Sequence, residues 1–178
     1  IEGGVLFGGS TMAWAHFSSI YEPINLARKI VGFDTFEGFP AFHKKDATFS
    51  TAGGWSSKSY DDLHESIRLF DMLRFKNHHK KVELVKGNFV KTGKKYLKDN
   101  PQTVIALAYF DADLYKPTKD CLLAIEPYLT KGSVIGFDEP NSDSFPGETI
   151  AIREVFGSTK YKLYTSKFSA GSGYLIIE

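Results

Sequence analysis

Short apolar runs alternate with stretches of helical periodicity along the chain. The apolar runs predict strands over residues 4–7, 29–33, 82–85, 103–110, 133–137, 161–166 and 173–177. Apolar positions three and four residues apart predict helices over 11–21, 61–75, 91–98, from 117 onward and over 147–156. Strands that are apolar at nearly every position are typical of a parallel sheet with helices on both faces. The pattern therefore predicts a doubly wound α/β fold with a mostly parallel sheet.

The end of the chain departs from this alternation. Its last two apolar runs are joined only by the short Gly/Ser connection at residues 170–172, which predicts a C-terminal antiparallel hairpin. A length of 178 residues fits one domain that spans 1–178. The sequence begins with Ile1 in place of a Met, directly before the first apolar run. We therefore expect that the domain lacks an N-terminal segment.

Composition and charge narrow the classes of function. A net charge of +1 gives no reason to expect a nucleic-acid or membrane partner. Cys121 is the single cysteine, so an internal disulfide is excluded and a reducing cytoplasm is the predicted location. No apolar run reaches the about 18 residues of a membrane-spanning helix, and no signal peptide is visible. These features are compatible with a small-molecule or glycan partner and with a homo-oligomer.

A long stretch rich in Gly, Ser, Thr and Lys, residues 37–58, predicts a loop after the second strand. Loops of this length often carry function. His43 and His64 flank or occupy it and are candidate acid–base groups, although solvated or packed histidines fit the pattern equally. Trp55 is either an aromatic wall for a substrate or an anchor of the loop.

The first strand leads into a glycine-rich turn. An acidic residue followed by spaced glycines gives Glu2, Gly4 and Gly8, with Leu6 where a middle glycine is usual. Such a turn lets a ligand approach the backbone and the N-terminus of the next helix, which Ser10 is predicted to cap. The alternative is that the glycines only serve a tight turn.

Polar residues at the ends of the next two strands extend this interpretation. Asp34 ends the second strand, where a carboxylate can accept hydrogen bonds from both hydroxyls of a ribose. A capping Asp in a turn is the alternative. Asn88 and Phe89 follow the third strand and are candidates to pack against adenine. Phe89 alone is equally consistent with a core residue at the start of a helix.

Carboxylates follow the fourth and fifth strands. Asp111 and the pair Asp138–Glu139 are separated by one strand–helix–strand unit, so parallel neighbouring strands would bring them together. Clustered like charges are unfavourable unless a cation is present or protons are taken up. Oxygen ligands without His or Cys favour Mg²⁺, with Mn²⁺ and Ca²⁺ as alternatives, over Zn²⁺. Such an ion could lower the pKa of a substrate hydroxyl. The alternative is that Asp111 binds only polar groups of a nucleoside ligand. If the strand continues, Asp113 points the other way and caps the following helix.

Several of these segments together resemble a known family. The motifs EGGVLFGGS, VGFDTFEGFP, VKGNF, FDADLY and GFDEP occur in this order and are similar to those of the macrocin O-methyltransferase family. PGETIAIREVF resembles the helix that follows in that family, so the likeness covers nearly the whole chain. The resemblance implies a Rossmann-like class I methyltransferase fold, S-adenosylmethionine as cofactor, and a magnesium-assisted methyl transfer to a sugar hydroxyl.

The resemblance also implies roles for individual residues. The implied cofactor-binding residues are Glu2, Gly4, Gly8, Ser10, Asp34, Phe36, Asn88, Phe89 and Asp111. The implied metal ligands are Asp111, Asp138 and Glu139, and Asp111 is the implied catalytic residue. The family usually has Asp-Asp-Tyr where this chain has Asp138, Glu139 and Pro140. Catechol-type relatives place a Lys where this chain has Leu114, so a catechol-type base is not expected.

The sequence therefore predicts an S-adenosylmethionine-dependent O-methyltransferase that acts on a sugar or a glycosylated small molecule. Two alternatives remain open at this point. A nicotinamide-dependent oxidoreductase shares the glycine turn and the ribose-binding Asp. A non-catalytic relative would bind the cofactor without turnover, and the Asp138–Pro140 departure keeps that possibility open.

Overall fold

The computed structural model describes residues 1–39, 42–46, 54–157 and 159–178. The strands are β1 (Glu2–Gly3), β2 (Ile30–Asp34), β3 (Val82–Lys86), β4 (Ile105–Phe110), β5 (Leu129–Phe137), β6 (Tyr164–Thr165) and β7 (Gly173–Ile176). The helices are α1 (Gly9–Tyr21), α2 (Tyr60–Leu73), α3 (Phe89–Asp99), α4 (Tyr115–Ile125) and α5 (Pro146–Phe156), with a 3₁₀ turn at Glu126–Tyr128.

The strands form one sheet in the order β3-β2-β1-β4-β5-β7-β6. The first five strands pair in parallel, while β7 pairs antiparallel with both β5 and β6. The predicted doubly wound, mostly parallel sheet with a C-terminal antiparallel hairpin is confirmed. The strand order reverses between β1 and β4, and open α/β sheets bind ligands at such a switch point.

Two clusters of buried apolar side chains cover the sheet. One contains Phe33, Phe110 and Phe137 together with residues of α3, α4 and α5. The other contains residues of α1 and α2, and Ile30 packs against it. Because alternate residues of β2 belong to different clusters, the sheet lies between two helical layers. No helix among the described residues is long and apolar enough to cross a bilayer.

The predicted first strand over 4–7 is wrong. Pairing in β1 ends at Gly3, because the chain turns into left-handed conformations at Gly4 (φ 89°), Leu6 (φ 50°) and Gly8 (φ 80°). The prediction that Ser10 caps the next helix is also wrong, since α1 already begins at Gly9. The apolar run therefore forms most of the turn that leads into the helix.

All five helices begin one or two residues earlier than predicted, and the reason is visible at α3 and α4. The side chain of Asn88 accepts a hydrogen bond from the N–H of Val90 at 2.9 Å, so α3 is capped and begins at Phe89. Helix α4 begins at Tyr115, two residues before Pro117. A proline is tolerated there because the first N–H groups of a helix have no partner within it.

Candidate active site

A cavity of about 410 Å³ opens at the carboxyl ends of the parallel strands. Its wall includes the residues that follow β1, β2, β3, β4 and β5, so it spans the switch point of the sheet. The lining side chains that bear on function are Asp34, Asn88, Phe89, Asp111, Asp113, Asp138 and Glu139, with backbone from Gly3 and Gly4. A volume of this size is typical of a small-molecule site.

Asp34 organises the glycine-rich turn at one end of the cavity. One carboxylate oxygen accepts hydrogen bonds from the N–H groups of Val5 and Leu6, at 2.7 and 2.8 Å. The other accepts one from Phe36 at 2.7 Å. A carboxylate has about four lone-pair sites, so Asp34 keeps capacity for ribose hydroxyls. The sequence left open whether Asp34 stabilises a turn or binds a ligand, and the geometry allows both roles at once.

Gly4, in the same turn, has no space for a side chain. A Cβ on this residue would lie 1.8 Å from the carbonyl oxygen of Asp111, and its φ of 89° disfavours other residues. The turn therefore packs directly onto the chain that carries Asp111. This contact joins the glycine-rich end of the cavity to its acidic end.

Four predicted cofactor-binding residues lie away from the cavity wall. Glu2 is fully buried, and its carboxylate accepts hydrogen bonds from the hydroxyls of Ser10 and Thr11. Gly8 faces Leu63, because a Cβ there would lie 2.3 Å from that side chain. Glu2, Gly8 and Ser10 therefore support the glycine-rich turn without lining the cavity.

Phe36 is the fourth of these residues. It is buried, packs edge-on against Tyr60 at 5.0 Å, and is not part of the cavity wall. Asn88 and Phe89 do line the cavity. Phe89 also contacts Phe33 at 4.6 Å and belongs to the core, so it combines both roles considered for it.

Asp111, Asp138 and Glu139 line the same cavity, as the strand pattern predicted. Asp113 lines it too, and the prediction that it points away is wrong. Strand β4 ends at Phe110, and Asp113 itself adopts a left-handed φ of 56°, so strand alternation does not continue to it. The N-cap of helix α4 is Leu114, whose side chain makes no capping hydrogen bond, so Asp113 is not the cap of this helix.

The sequence also matches a family model. The model describes a methyltransferase domain and matches residues 1–139 of the 178. The chain belongs to this methyltransferase family. A comparison with curated proteins gave no match.

Solved structures of methyltransferases are similar to this chain over nearly its whole length. A crystal structure of CalS11, calicheamicin methyltransferase, is 43% identical, with a TM-score of 0.93 over 98% of this chain and 70% of that chain. An apo structure of CalS11, described as a TDP-rhamnose 3′-O-methyltransferase, is 42% identical over the same shares, with a TM-score of 0.83. The O-methyltransferase NovP, 21% identical, shares the fold with a TM-score of 0.73 over 99% of this chain and 70% of that chain. The predicted enzyme class, an S-adenosylmethionine-dependent O-methyltransferase, is confirmed.

Burial and mutual repulsion set the electrostatics of the acidic end. Burial, followed by the charge of Asp138, raises the pKa of Asp111 to about 7. Burial, followed by the charge of Asp111, raises the pKa of Asp113 to about 8. Burial and a hydrogen bond from its hydroxyl to Asp138 at 2.9 Å raise the pKa of Tyr109. The methyltransferase thus holds a group of carboxylates whose charges are mutually unfavourable.

Glu148 is a site residue that the sequence did not indicate. It lies on α5, where the pattern showed an ordinary helical acid, yet its side chain is fully buried. One of its oxygens accepts a hydrogen bond from the N–H of Glu139 at 3.3 Å, and the other has no hydrogen-bond partner among the described residues. Burial raises its pKa to about 8, with smaller contributions from Asp113, Asp138 and Asp111.

The acidic residues fit magnesium only in part. Their oxygen atoms are the ligands that Mg²⁺ prefers, and burial together with repulsion leaves their charge uncompensated. However, no three His, Cys, Asp or Glu side chains in the described ranges are grouped closely enough to hold a metal ion. The kind of ligand suits a divalent cation, whereas the spacing in this structure does not form a site.

The candidate histidines lie outside the cavity wall. His43 packs against the ring of Tyr115 at 4.7 Å, and His64 packs edge-on against Tyr60 at 4.6 Å. Of the predicted loop 37–58, residues 40–41 and 47–53 lie outside the described residues. Trp55 lies within them and lines the cavity.

Proposed function

We propose that this methyltransferase transfers a methyl group from S-adenosylmethionine to a hydroxyl of a sugar, borne by a nucleotide sugar or a glycosylated small molecule. One observation carries the proposal: a single cavity joins a glycine turn and Asp34 at one end to Asp111 and Asp138 at the other. The sugar acceptor is supported by the 43% identity to CalS11, which is described as a TDP-rhamnose methyltransferase.

The glycine-rich end has the chemistry to bind the cofactor. S-adenosylmethionine, when bound, supplies a methyl group on a positively charged sulfur. Gly4 presents only backbone to this end of the cavity, Asp34 accepts hydrogen bonds from ribose hydroxyls, and Asn88 with Phe89 borders adenine. Glu2, Gly8, Ser10 and Phe36 support this end indirectly, by holding the turn.

The acidic end has the chemistry to orient and deprotonate the acceptor. Asp111 would hydrogen-bond the acceptor hydroxyl and take its proton, and the hydroxyl oxygen would receive the methyl group that the bound cofactor supplies. Its raised pKa of about 7 suits a group that accepts a proton near neutral pH. Asp113 borders the same space and is the second candidate for this role. Positioning of the two reactants supplies most of the rate.

A divalent cation at Asp111, Asp138 and Glu139 is a further part of the proposal. It is supported by the oxygen ligands and their unfavourable charges, and it requires the three side chains to move closer together. Treatment with EDTA followed by added Mg²⁺ tests it. Activity that EDTA leaves unchanged would exclude the cation and would leave the carboxylates as the acid–base groups.

Calorimetry with S-adenosylhomocysteine, the demethylated cofactor, tests the cofactor end. We expect Asp34→Asn to weaken binding by about tenfold, because a hydrogen bond to a charged group contributes roughly 1.5–3 kcal/mol. Asp61→Asn, an exposed change on α2, is the matched control. No binding by the wild type would refute the cofactor assignment and would also exclude the non-catalytic cofactor-binding alternative.

Transfer of a methyl group to TDP-rhamnose, followed by mass spectrometry, tests the acceptor. We expect Asp111→Asn to reduce turnover by about a hundredfold, the lower range for removal of a general base. Binding of the cofactor without turnover of this or any other sugar would favour the non-catalytic alternative. The nicotinamide-dependent alternative has no support, since the family match is to a methyltransferase domain.

The finer assignments are part of the same proposal. The sequence predicts that the chain belongs to the macrocin O-methyltransferase branch and forms a single domain over 1–178. It also predicts a cytoplasmic location and allows a homo-oligomer. A small-molecule or glycan acceptor is supported by the CalS11 likeness, and the absence of a nucleic-acid or membrane partner stays a prediction.

A further inference from the structure

Trp55 stands on the wall of the cavity with its side chain open to solvent. It lines the cavity together with Phe39 and Phe145, and 64% of its surface is exposed. A Trp side chain normally contributes to stability by being buried, and an indole exposed beside a small-molecule site does not make this contribution. The position is therefore costly unless a ligand covers the ring.

The chain holds Trp55 at this place from both sides. The N–H of Phe39 donates to the carbonyl of Gly54 at 3.1 Å. On the other side, the hydroxyls of Ser57 and Ser59 both donate to the carbonyl of Leu6, at 3.2 and 2.6 Å. Leu6 belongs to the glycine-rich turn, so the segment that carries Trp55 is tied to the cofactor end of the cavity.

The backbone of Trp55 is strained. Its φ of 59° lies in the left-handed region, which bulky residues rarely adopt. Strain of this kind concentrates at ligand-binding sites. The strain and the exposure are two independent costs at one residue.

We propose that Trp55 is the platform on which the sugar ring of the acceptor stacks. A sugar ring presents C–H groups on its face and hydroxyls at its edge. The indole face would cover the C–H groups, while the carboxylates of the same cavity receive the hydroxyls. The inference rests on the proposed sugar acceptor and adds the residue that would orient it.

The chain offers a direct optical test, because it contains only two tryptophans. Trp14 packs edge-on against Tyr109 at 5.8 Å, and its indole N–H has no hydrogen-bond partner among the described residues. Trp14→Phe therefore removes no hydrogen bond seen in that part of the chain and leaves Trp55 as the sole indole. The variant is titrated with TDP-rhamnose, methyl rhamnoside and TDP in separate experiments, each with S-adenosylhomocysteine present.

We expect TDP-rhamnose and methyl rhamnoside to change the fluorescence of Trp55, and TDP alone to leave it unchanged. A response to TDP but not to methyl rhamnoside would overturn the inference, because the base and not the sugar would then stack. No response to any probe would also overturn it. If the wild type methylates TDP-rhamnose in that case, only the role of Trp55 is wrong; if it does not, the proposed sugar acceptor fails too.

Kinetics provide the second readout. Trp55→Ala should raise the KM for the acceptor by about tenfold, within the range seen when an aromatic stacking platform is removed, and should change kcat less than twofold. Trp55→Phe, which keeps an aromatic face, should recover most of the loss. The affinity for S-adenosylhomocysteine should stay within twofold of wild type in both variants. An unchanged acceptor KM in Trp55→Ala would contradict the inference.

Discussion

The backbone N–H of Glu139 donates a hydrogen bond to the buried carboxylate of Glu148 at 3.3 Å. Two residues further along the chain, the N–H of Asn141 donates a hydrogen bond to the hydroxyl of Thr149 at 2.6 Å. Two consecutive residues of α5 therefore hold the turn that follows β5. Since that turn carries Asp138 and Glu139, the first turn of α5 determines where these carboxylates stand relative to Asp111.

The first prediction concerns this hydrogen bond. Glu148→Ala removes the acceptor for the N–H of Glu139, and we expect kcat/KM for the acceptor sugar to fall by roughly tenfold, as for other residues that orient an active-site ligand. Glu148→Gln keeps an acceptor oxygen and should retain most activity. The measurement is steady-state kinetics, with the affinity for S-adenosylhomocysteine as a control that should not change. Equal losses in Ala and Gln would show that the charge matters and not the hydrogen bond.

Gly4 provides a second prediction, because its neighbours leave no space for a side chain. In Gly4→Ala the new Cβ would lie 1.8 Å from the carbonyl oxygen of Asp111, and the φ of 89° adds strain. We expect a loss of at least about 2 kcal/mol in the free energy of unfolding, together with loss of cofactor binding. Urea unfolding and calorimetry measure the two effects.

The matched control lies five residues further on. Gly9 begins α1, and a Cβ there would meet no atom within 4 Å. Gly9→Ala should therefore be neutral or stabilising by up to about 1 kcal/mol, since alanine favours helix more than glycine does. A Gly4→Ala variant as stable as Gly9→Ala would contradict the close packing of the turn against Asp111.

Much of the fold follows from periodicity, because strands buried on both faces and amphipathic helices leave clear patterns. The same reasoning located Asp34, Asp111 and Asp138, since a charged residue after an apolar run marks the carboxyl end of a strand. It failed where non-glycine residues adopt positive φ, at Leu6 and Asp113. Leu rarely adopts such a conformation, and Asp adopts it more often but fits a strand end or a helix cap as well. The first strand was therefore placed too late, and Asp113 was predicted to point away from the site.

Burial of acidic side chains was the other feature that periodicity could not reveal. Glu2 was interpreted as a ligand residue and Glu148 as part of a helix, yet both are fully buried. Their burial depends on which elements pack together: Glu2 faces the hydroxyls of α1, and Glu148 meets the turn after β5. Contacts between segments that are distant in sequence have no local signature.

The buried Glu2 leads to a third prediction, on pH. Burial raises the pKa of Glu2 above its ordinary value of 4.5, although the hydroxyls of Ser10 and Thr11 oppose part of the shift. The stability that Glu2 contributes is therefore complete below pH 4.5 and is lost as the pH rises through its folded-state pKa. Glu2→Gln removes this ionisation and can still pair with both hydroxyls.

We thus expect wild type and Glu2→Gln to be similarly stable near pH 4, and Glu2→Gln to be the more stable of the two at pH 8. Urea unfolding across this range measures the difference. Glu65→Gln is a control of opposite sign, because a hydrogen bond from Arg68 lowers the pKa of Glu65. A Glu2→Gln variant that is less stable at every pH would show that the charged hydrogen bonds outweigh the cost of burial.

The last prediction concerns Asp46, which ties the loop before α2 to the helices behind the acidic site. Its carboxylate accepts hydrogen bonds from the N–H of Tyr115, the first residue of α4, and from the N–H of His43, both at 2.7 Å. A Cβ on Gly147 would lie 2.2 Å from the same carboxylate and 2.5 Å from the backbone nitrogen of Tyr115, so the absence of a side chain lets α5 pack directly against this contact.

Asp46→Ala should cost about 1 kcal/mol in the free energy of unfolding, the usual value for loss of a helix cap, and Gly147→Ala should displace the same carboxylate. Both changes disturb the hydrogen bond between Asp46 and Tyr115, while Gly147→Ala also meets the backbone of Tyr115. Since the part that acts through Asp46 can be lost only once, the double variant should lose less stability than the sum of the single variants. Thermal or urea unfolding of all four proteins gives this coupling energy, with the exposed Asp143→Ala as control. Strict additivity would mean that Asp46 and Gly147 act independently and that the loop is not held to α4 through Asp46.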